Sequence, residues 1–323
     1  MIKRFAHTLL FFMSIQTVLH ASAYNFESGG ICYIIDGNAR TASVANEKHS
    51  GPMTIPAFVT YYGTDYAVTD IDLNLFFSCE DLTSITVDSE NRVYASVDGV
   101  LYNKDITVLI KCPEGRTSVE IPGSVTSIKD FAFYNCCNLT SITVDSENKA
   151  YTSVDGVLYD KDITELIKCP EGKTSVEIPN TVTTIGIRAF DDCHTLSSIT
   201  VDSENKAYAS ADGVLYDKDI TELITCPEGK TSVEIPGSVT IIANSAFDNC
   251  HTLSSITVDS ENRAYASVDG VLYNKDITES IICPKGKTSV RIPDTMAKIR
   301  RLAFSDCDSL TSVEIPESVS VIG

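Results

Sequence analysis

The fold is decided by the stretch Leu139-Thr-Ser-Ile-Thr-Val-Asp-Ser-Glu-Asn148, because the chain repeats it at a fixed spacing. Copies of this stretch begin 57 residues apart, at Leu82, Leu139, Leu196 and Leu253, and a partial fifth copy begins at Leu310. Self-similarity at a fixed period is typical of a repeat architecture, in which one unit cannot bury its apolar face without its neighbours. The chain is therefore predicted to be a solenoid.

Each period contains two coils, which the cysteines mark. Their spacing alternates between 33 and 24 residues, at Cys79, Cys112, Cys136, Cys169, Cys193, Cys226, Cys250, Cys283 and Cys307. A short coil carries Val119-Glu120-Ile121-Pro122, and a long coil carries Ile142-Thr143-Val144. Because apolar and polar residues alternate in both runs, we predict one strand in each coil, and stacking the coils then gives a parallel sheet.

The same cysteines predict a column of buried thiols. Each lies shortly before the strand of its coil, where a thiol acts as a small apolar side chain. Disulfides between adjacent coils are the alternative, since stacked strands lie ~4.8 Å apart, near the lower limit for a disulfide. Nine cysteines in one column cannot all pair with one another, and Cys32 and Cys137 lie outside it.

The remainder of each period predicts hairpins and turns. In the long coil, two apolar runs flank the turn cluster Asp160-Lys161-Asp162, which predicts a β-hairpin projecting from the coil. In the short coil, Pro179 ends the strand because proline has no amide hydrogen to continue the ladder. The apolar residues after it predict a bend followed by a short helical or 3₁₀ turn, and they are Val182, Ile185 and Ala189-Phe190.

Three segments are predicted. Residues 1–23 combine two basic residues, a short apolar run and Ala21-Ser22-Ala23, the pattern of a secretory signal peptide. Residues 24–53 do not repeat and are predicted to form an N-terminal β cap, because the open end of a solenoid needs a cover. Residues 54–323 are predicted to be the solenoid. Its last coil is expected to be incomplete, either because the sequence is a fragment or because the coil is frayed.

The charge balance excludes two classes of partner. The chain has 323 residues, with 25 lysines and arginines against 44 aspartates and glutamates, a net charge of −19. Nucleic acids and anionic membrane surfaces both require basic patches, so neither is a predicted partner. After residue 23 no apolar stretch is long enough to span a bilayer.

Four motifs resemble the BspA-like leucine-rich repeat family of secreted and surface proteins. They are Cys-x-x-Leu-x-x-Ile-x-Val (Cys136 to Val144), Asp-Gly-Val-Leu-Tyr (Asp155 to Tyr159), Val-x-Ile-Pro-x-x-Val-x-x-Ile (Val176 to Ile185) and Ala-Phe-x-x-Cys (Ala189 to Cys193). The resemblance implies a leucine-rich-repeat solenoid of the α/β horseshoe type, predominantly β, with its parallel sheet on the concave side. It also implies an extracellular or cell-surface location and binding of host or neighbouring-cell proteins. The asparagine position of the general leucine-rich consensus holds Glu147, with Asn148 one place later, so no buried asparagine ladder is predicted.

No constellation of residues predicts catalysis. His194 and His251 are equivalent positions in two copies, and a catalytic group would not be duplicated one period apart. The motifs of serine hydrolases, zinc proteases and phosphate loops are absent. Carboxylates such as Asp160 and Asp162 leave a calcium site as an alternative, but the lysine between them favours hairpin-turn chemistry. We predict that the protein is not an enzyme and has no cofactor and no metal.

Alternation along the strands defines the predicted binding column. Ile85, Val119 and Ile121 point into the core, so the residues between core positions point outward. Solenoids bind their partners along such concave columns. A uniformly solvated sheet face is the alternative. The predicted binding column consists of Thr86, Glu120, Thr143, Glu177, Thr200, Glu234, Thr257 and Arg291, and Glu314 continues it.

These features predict a secreted or cell-surface, non-enzymatic solenoid that binds an extracellular or host protein, with adhesion as its use. A glycan-binding surface module is the alternative. Sugar rings usually stack on exposed aromatic side chains, and the chain has no tryptophan. Recurring tyrosines such as Tyr94 and Tyr159 are predicted to be structural.

Overall fold

A computed structural model describes residues 24–45, 50–78 and 81–323. In these residues it has 32 β-strands, a single 3₁₀ helix (Leu73–Ser78) and no α-helix. The predicted signal peptide, His49 and Cys79 lie outside the described residues. The fold class predicted from the sequence, a mainly-β solenoid with stacked parallel strands, is confirmed.

The first six strands are β1 (Phe26–Ser28), β2 (Ile31–Asp36), β3 (Thr41–Val44), β4 (Gly51–Ile55), β5 (Phe58–Tyr61) and β6 (Thr64–Ile71). Five of them form one sheet in the order β1-β2-β3-β6-β5. This sheet joins strands from both sides of residue 54. The remaining strand, β4, pairs in parallel with β7 (Leu82–Val87).

Every copy has the same order of strands: a parallel strand, three antiparallel strands, a second parallel strand and a two-residue strand. The first copy continues from β7 with β8 (Tyr94–Val97), β9 (Val100–Asn103), β10 (Val108–Lys111), β11 (Ser118–Ile121) and β12 (Ser127–Ile128). The second has β13 (Ser141–Val144), β14 (Tyr151–Val154), β15 (Val157–Asp160), β16 (Glu165–Lys168), β17 (Ser175–Ile178) and β18 (Thr184–Ile185).

The third copy has β19 (Ser198–Val201), β20 (Tyr208–Ala211), β21 (Val214–Asp217), β22 (Glu222–Thr225), β23 (Ser232–Ile235) and β24 (Ile241–Ile242). The fourth has β25 (Ser255–Val258), β26 (Tyr265–Val268), β27 (Val271–Asn274), β28 (Glu279–Ile282), β29 (Ser289–Arg291) and β30 (Lys298–Ile299). The partial copy has β31 (Ser312–Glu314) and β32 (Val321–Ile322).

The parallel strands form pairs, where the sequence predicted one continuous parallel sheet. β11 pairs with β13, β17 with β19, β23 with β25 and β29 with β31. Next to each pair lies the tight turn between the first two antiparallel strands, Asp155-Gly156 in the second copy. The Ile142 amide donates a hydrogen bond of 2.8 Å to the Gly156 carbonyl. The turn thus occupies the edge of β13 that a third parallel strand would need.

Gly156 is required at this turn for two reasons. Asp155 and Gly156 have φ values of 49° and 74°, and two successive left-handed residues form the type I′ turn that matches the twist of a hairpin. A Cβ atom on Gly156 would also lie 2.8 Å from Ser141 Oγ. Glycine alone satisfies both the conformation and the close approach.

The hairpins form as predicted, but they are packed into the body of the solenoid and do not project from it. Along β15, Leu158 packs with Ile142 in one hydrophobic cluster, whereas Val157 and Tyr159 pack with Ile178 in the next cluster. Both faces of β15 are therefore buried between coils. A continuous apolar run is typical of a strand that is buried on both faces, which is why the strand lies inside.

The corner turns, residues 129–135 and their copies 186–192, 243–249 and 300–306, follow the two-residue strands. A short helical or 3₁₀ turn was predicted there, and a 3₁₀ helix, Leu73–Ser78, forms only at the equivalent position of the first coil within the described residues. At the corner turn of the first copy, Ala132 N donates to Lys129 O at 3.1 Å and Tyr134 N donates to Phe131 O at 3.0 Å. Phe131 and Asn135 have φ values of 62° and 61°. Left-handed residues interrupt a right-handed helix, so separate turns replace it.

A ladder of buried asparagines is present, contrary to the prediction. Asn148 Nδ2 donates to the carbonyl oxygens of Pro122 and Val125, at 2.8 and 2.9 Å. Its Oδ1 accepts hydrogen bonds of 2.8 Å from the amides of Ala150 and Tyr151. The side chain thereby connects the short coil to the long one and satisfies four backbone groups. The ladder consists of Asn91, Asn148, Asn205 and Asn262, each at most 1% exposed.

The core is a succession of hydrophobic clusters, each of which includes a side chain from the adjacent copy. Seven of the ten described cysteines are buried in it, and none of the ten forms a disulfide. Cys136 Sγ lies 3.5 Å from the carbonyl oxygen of Cys112 in the neighbouring coil. These thiols fill the core as small apolar groups.

Candidate binding surfaces

All eight residues of the predicted binding column lie on parallel strands and are exposed. Alternation along the strands explains their exposure, because Val119 and Ile121, on either side of Glu120, are buried. The strands that carry the eight residues are β7, β11, β13, β17, β19, β23, β25 and β29, in the order Thr86, Glu120, Thr143, Glu177, Thr200, Glu234, Thr257 and Arg291.

The structure brings these residues together in pairs rather than in one uninterrupted row. The parallel register places each of them opposite one partner. Thr143 and Glu177 belong to different pairs, so no ladder joins them. The pairs are Thr54 with Thr86, Glu120 with Thr143, Glu177 with Thr200, Glu234 with Thr257 and Arg291 with Glu314.

Charged bridges lie between successive pairs, and sequence reasoning did not identify them. Lys173 lies just before β17, and its Nζ forms an ion pair with Oδ2 of Asp155 in the hairpin turn, at 3.4 Å. The equivalent bridges in the other copies measure 2.5, 3.3 and 3.6 Å. In every copy, an acidic residue is followed 18 residues later by a basic one. This recurring spacing is the sequence pattern from which the bridges could have been predicted. The other bridges are Asp98–Arg116, Asp212–Lys230 and Asp269–Lys287.

The polar groups of the predicted binding column have different roles. Thr143 Oγ1 donates to the Val119 carbonyl at 3.3 Å, and Thr200 and Thr257 make the same bond. Arg291 Nε lies 3.7 Å from Glu314 Oε2, so the two side chains form an ion pair. In the part of the chain that the structure describes, no hydrogen bond or ion pair involves the side-chain carboxylates of Glu120, Glu177 and Glu234.

A second surface is the corner groove, which lies between the corner turns 129–135 and 186–192. Its volume is about 1020 Å³, and Ile167 and Lys168 of β16 contribute to its lining. Two apolar side chains at the groove are exposed, Phe131 at 46% and Ile187 at 94%. The Arg188 guanidinium lies 4.6 Å from the centroid of the Phe131 ring, within the range of a cation–π contact.

A buried carboxyl group lines the corner groove. The side chain of Glu171 is 1% exposed, and its nearest ion-pair partner is Lys168 Nζ, 3.8 Å from Oε1. Within the described residues, no nitrogen or oxygen donor is in hydrogen-bond geometry with either carboxyl oxygen, and the Cys137 thiol lies beside the group. Desolvation by burial raises the pKa of the Glu171 carboxyl to about 8, and the attraction of Lys168 only partly offsets that effect.

The next groove along the chain has a buried carboxyl group at the equivalent position, Glu228, with closer partners. His194 Nδ1 lies 2.7 Å from Glu228 Oε2. The Asp192 amide and Asn249 Nδ2 donate to Oε1, at 3.2 and 3.3 Å. Burial raises the pKa of Glu228 to about 7, although the hydrogen bond from Asn249 lowers it.

Potential metal-ligating side chains do not cluster among residues 24–45, 50–78 and 81–323. No group of three or more His, Cys, Asp or Glu side chains in these ranges is arranged to hold a metal ion. Asp160, the calcium alternative, instead accepts from the Thr164 hydroxyl and from the amides of Thr164 and Glu165. It therefore closes the hairpin turn. Over the same ranges, no helix has the length and apolar character that crossing a bilayer requires.

The stacked coils, parallel strand pairs and asparagine ladder define a leucine-rich-repeat solenoid. The family model of the BspA type leucine-rich repeat region matches residues 166–227 and 226–323. This part of the chain therefore belongs to the BspA-type leucine-rich repeats, and the family predicted from the motifs is confirmed. A comparison with curated protein sequences found no match.

Solved structures of bacterial repeat proteins are similar to this chain over most of its length. A leucine rich cell surface protein from Faecalibacterium prausnitzii is 22% identical, with 90% of this chain and 94% of that chain covered and a TM-score of 0.37. A leucine-rich repeat protein from Eubacterium ventriosum is 20% identical, with 93% and 92% covered and a TM-score of 0.40. The pneumococcal vaccine antigen PcpA is 18% identical, with 91% and 70% covered and a TM-score of 0.33.

Proposed function

We propose that this chain is a secreted or cell-surface solenoid without catalytic activity, which binds another protein through the predicted binding column. The observation that carries the proposal is the set of Glu120, Glu177 and Glu234, three exposed carboxylates with no partner among the described residues. Paired strands hold their backbones in register. Groups that are already ordered lose little conformational entropy on binding, which favours their use in recognition.

A basic region on an extracellular or host protein is the partner that this surface suits. The chain carries a net charge of −19, and complementary charges accelerate encounter more than they strengthen the final complex. The signal-peptide pattern in residues 1–23 supports export of the protein. The BspA-type repeats support a surface location and a use in adhesion.

The test starts with an unbiased pulldown that uses the mature protein. Association of the partner is then measured by surface plasmon resonance for the triple variant Glu120→Lys, Glu177→Lys and Glu234→Lys. A matched control is Glu147→Lys, Glu204→Lys and Glu261→Lys, which makes the same change in charge at exposed turns after the strands. We expect the column variant to fold normally and to associate at least about tenfold more slowly at low salt, with a smaller difference at high salt.

Two results would contradict the proposal. If the control triple variant slows association as much as the column variant, net charge and not the column governs encounter. If the column variant binds normally and alteration of the Asp160-Lys161-Asp162 turn and its copies abolishes binding, the hairpin edge is the recognition surface.

One observation favours the alternative of glycan binding. Near the N-terminal end three aromatic rings lie together: the centroids of Phe26 and Tyr61 are 4.9 Å apart, and those of Tyr61 and Tyr62 are 4.4 Å apart. Tyr62 is 91% exposed, so its ring is accessible for stacking on a sugar. A glycan array that gives signals with the wild-type protein and none with Tyr62→Ala would establish this alternative.

A further inference from the structure

The corner turns are the part of the repeat in which the copies differ most. The strands β7, β13, β19 and β25 all contain the same Ser-Ile-Thr-Val sequence. Three consecutive corner residues instead read Lys129-Asp130-Phe131, Gly186-Ile187-Arg188, Ala243-Asn244-Ser245 and Arg300-Arg301-Leu302. Stacking explains the constant strands, because each coil must fit its neighbours. The corners are not constrained in this way, so each groove between them has its own chemistry.

The corner groove between the corner turns of the first and second copies combines apolar surface with an excess of negative charge. Its lining includes six carboxyl groups and three basic side chains. The walls already engage two of the basic groups: Lys168 Nζ donates to the Asp191 carbonyl at 2.8 Å, and Arg188 Nε lies 3.8 Å from Asp191 Oδ2. The exposed Ile187 is an apolar contact at the same opening.

Glu171 distinguishes this groove from its neighbours. Its equivalent in the preceding copy, Glu114, has Lys111 Nζ at 2.8 Å, and its equivalent in the next copy, Glu228, has His194 at 2.7 Å. Within the described residues, Glu171 has a single ion-pair distance, 3.8 Å. The oxygens of Glu114 also lack a hydrogen-bond partner there, so the longer ion-pair distance is what sets Glu171 apart. A buried carboxyl group in that state loses its interactions with water and gains only partial compensation from a cation at that distance. A donor from outside the chain would supply what is missing.

We propose that the corner groove binds a lysine or arginine side chain of an apolar-flanked segment of a protein partner, with Glu171 as the counter-ion and Ile187 as an apolar contact. The volume of about 1020 Å³ is that of a ligand pocket and exceeds the needs of one side chain. The flanking residues of the partner therefore enter as well. This surface is distinct from the predicted binding column, and its test does not depend on that column.

The charge state of Glu171 gives the proposal its sharpest test. Burial holds its pKa at about 8, so at pH 6 to 7 the free protein carries a mostly neutral Glu171. A cationic side chain requires the carboxylate, and binding then releases the proton. As the pH is raised towards 8, the affinity should therefore increase about tenfold for each pH unit, and above pH 8 it should stay constant. The charged and titratable groups that face Glu171 are Lys111, Cys137, Lys168, Asp192 and Glu228.

The probe is a fluorescein-labelled pentapeptide of sequence leucine-arginine-leucine-lysine-leucine, compared with a neutral copy that contains citrulline and acetyl-lysine. Binding to the full chain is followed by fluorescence anisotropy between pH 6 and pH 9. We expect the basic peptide to bind more tightly than the neutral copy, with the rise in affinity described above. Glu171→Gln should bind more weakly at pH 8 and lose the pH dependence. Glu204→Gln, the same change at an exposed turn, should behave as wild type.

A second variant keeps the test decisive if Glu171→Gln unfolds. Ile187 is 94% exposed, so Ile187→Ser should fold normally. It should weaken the basic peptide about tenfold at every pH and retain the slope with pH. Equal binding of both peptides, no binding of either, or an unchanged slope in folded Glu171→Gln would each overturn the proposal. Failure here would leave the column proposal untouched, because the column residues line a different surface.

Discussion

At the scale of single residues, Asn148 shows how one side chain joins two coils. It sits in a turn cluster, where an amide usually serves its own turn. It also donates across to Pro122 and Val125 in the preceding coil. Its side chain can satisfy all four partners because an amide has two donors and an acceptor with two lone pairs. Neighbouring Glu147 faces solvent and cannot take this position.

We predict that Asn148→Leu destabilises the protein by about 3 kcal/mol or more, because it leaves two carbonyl groups and two amides in the interior without partners. Urea unfolding monitored by circular dichroism measures the loss. The matched control is Glu147→Ala, one residue away and exposed, which should change stability by no more than about 0.5 kcal/mol. Similar losses from both variants would show that the turn, and not the buried amide, maintains the contact.

At the scale of elements, each parallel strand has one face in the hydrophobic core and the other in solvent. Ile178 on β17 is fully buried and lies opposite Val201 of β19 in the parallel register. Strand Ser175–Ile178 alternates exposed and buried residues. An exposed position on the same strand therefore provides a control for a buried one.

We predict that Ile178→Asp costs roughly 3–5 kcal/mol, because it places an unpaired charge in the core. Because coils contact only their neighbours, the damage should be local. Hydrogen exchange should accelerate in residues 141–201 and remain near wild type in residues 255–299. The control Ser175→Asp introduces the same charge at an exposed site of the same strand and should leave both regions protected. Uniform acceleration along the whole chain would contradict the one-dimensional description of this solenoid.

At the scale of the whole molecule, buried carboxyl groups connect stability to pH. Burial raises the pKa of Glu171 to about 8 and of Glu228 to about 7, well above the value of about 4.3 expected in an unfolded chain. Between those values the folded state binds more protons than the unfolded state. The free energy of unfolding therefore decreases as the pH rises, by about 1.4 kcal/mol for each unit of pKa difference.

We predict that the urea concentration at the unfolding midpoint of the wild-type protein decreases as the pH is raised from 5 to 8. The double variant Glu171→Gln, Glu228→Gln should show a flatter profile, because glutamine does not titrate. Ordinary surface carboxylates are ionised in both states above pH 5, so the control Glu147→Gln, Glu204→Gln should follow the wild-type profile. A double variant that retains the full slope would show that groups other than these two produce the pH dependence.

The sequence alone determined the period, the two parallel strands of each copy, the buried side chains of those strands and the family. These features are local or repeat at a fixed step, so alternation and self-similarity encode them directly. The turn cluster Asp160-Lys161-Asp162 likewise predicted the hairpin of β15 and β16, because turn residues between two apolar runs are a local signal. The exposure of the column from Thr86 to Arg291 followed from the same alternation, and its role in binding stays a prediction.

Only the tertiary structure decided what lies between the strands. The position of Gly156 beside β13 depends on a contact within one long coil, and the inward orientation of Asn148 and the burial of Glu171 depend on contacts between adjacent coils. Residues about 14 to 36 positions apart make these contacts. Nothing in the local pattern states how one coil is offset against the next, since that offset is set by side-chain packing across the stack. For this reason the continuous sheet was replaced by strand pairs, and the corner groove became visible only in three dimensions.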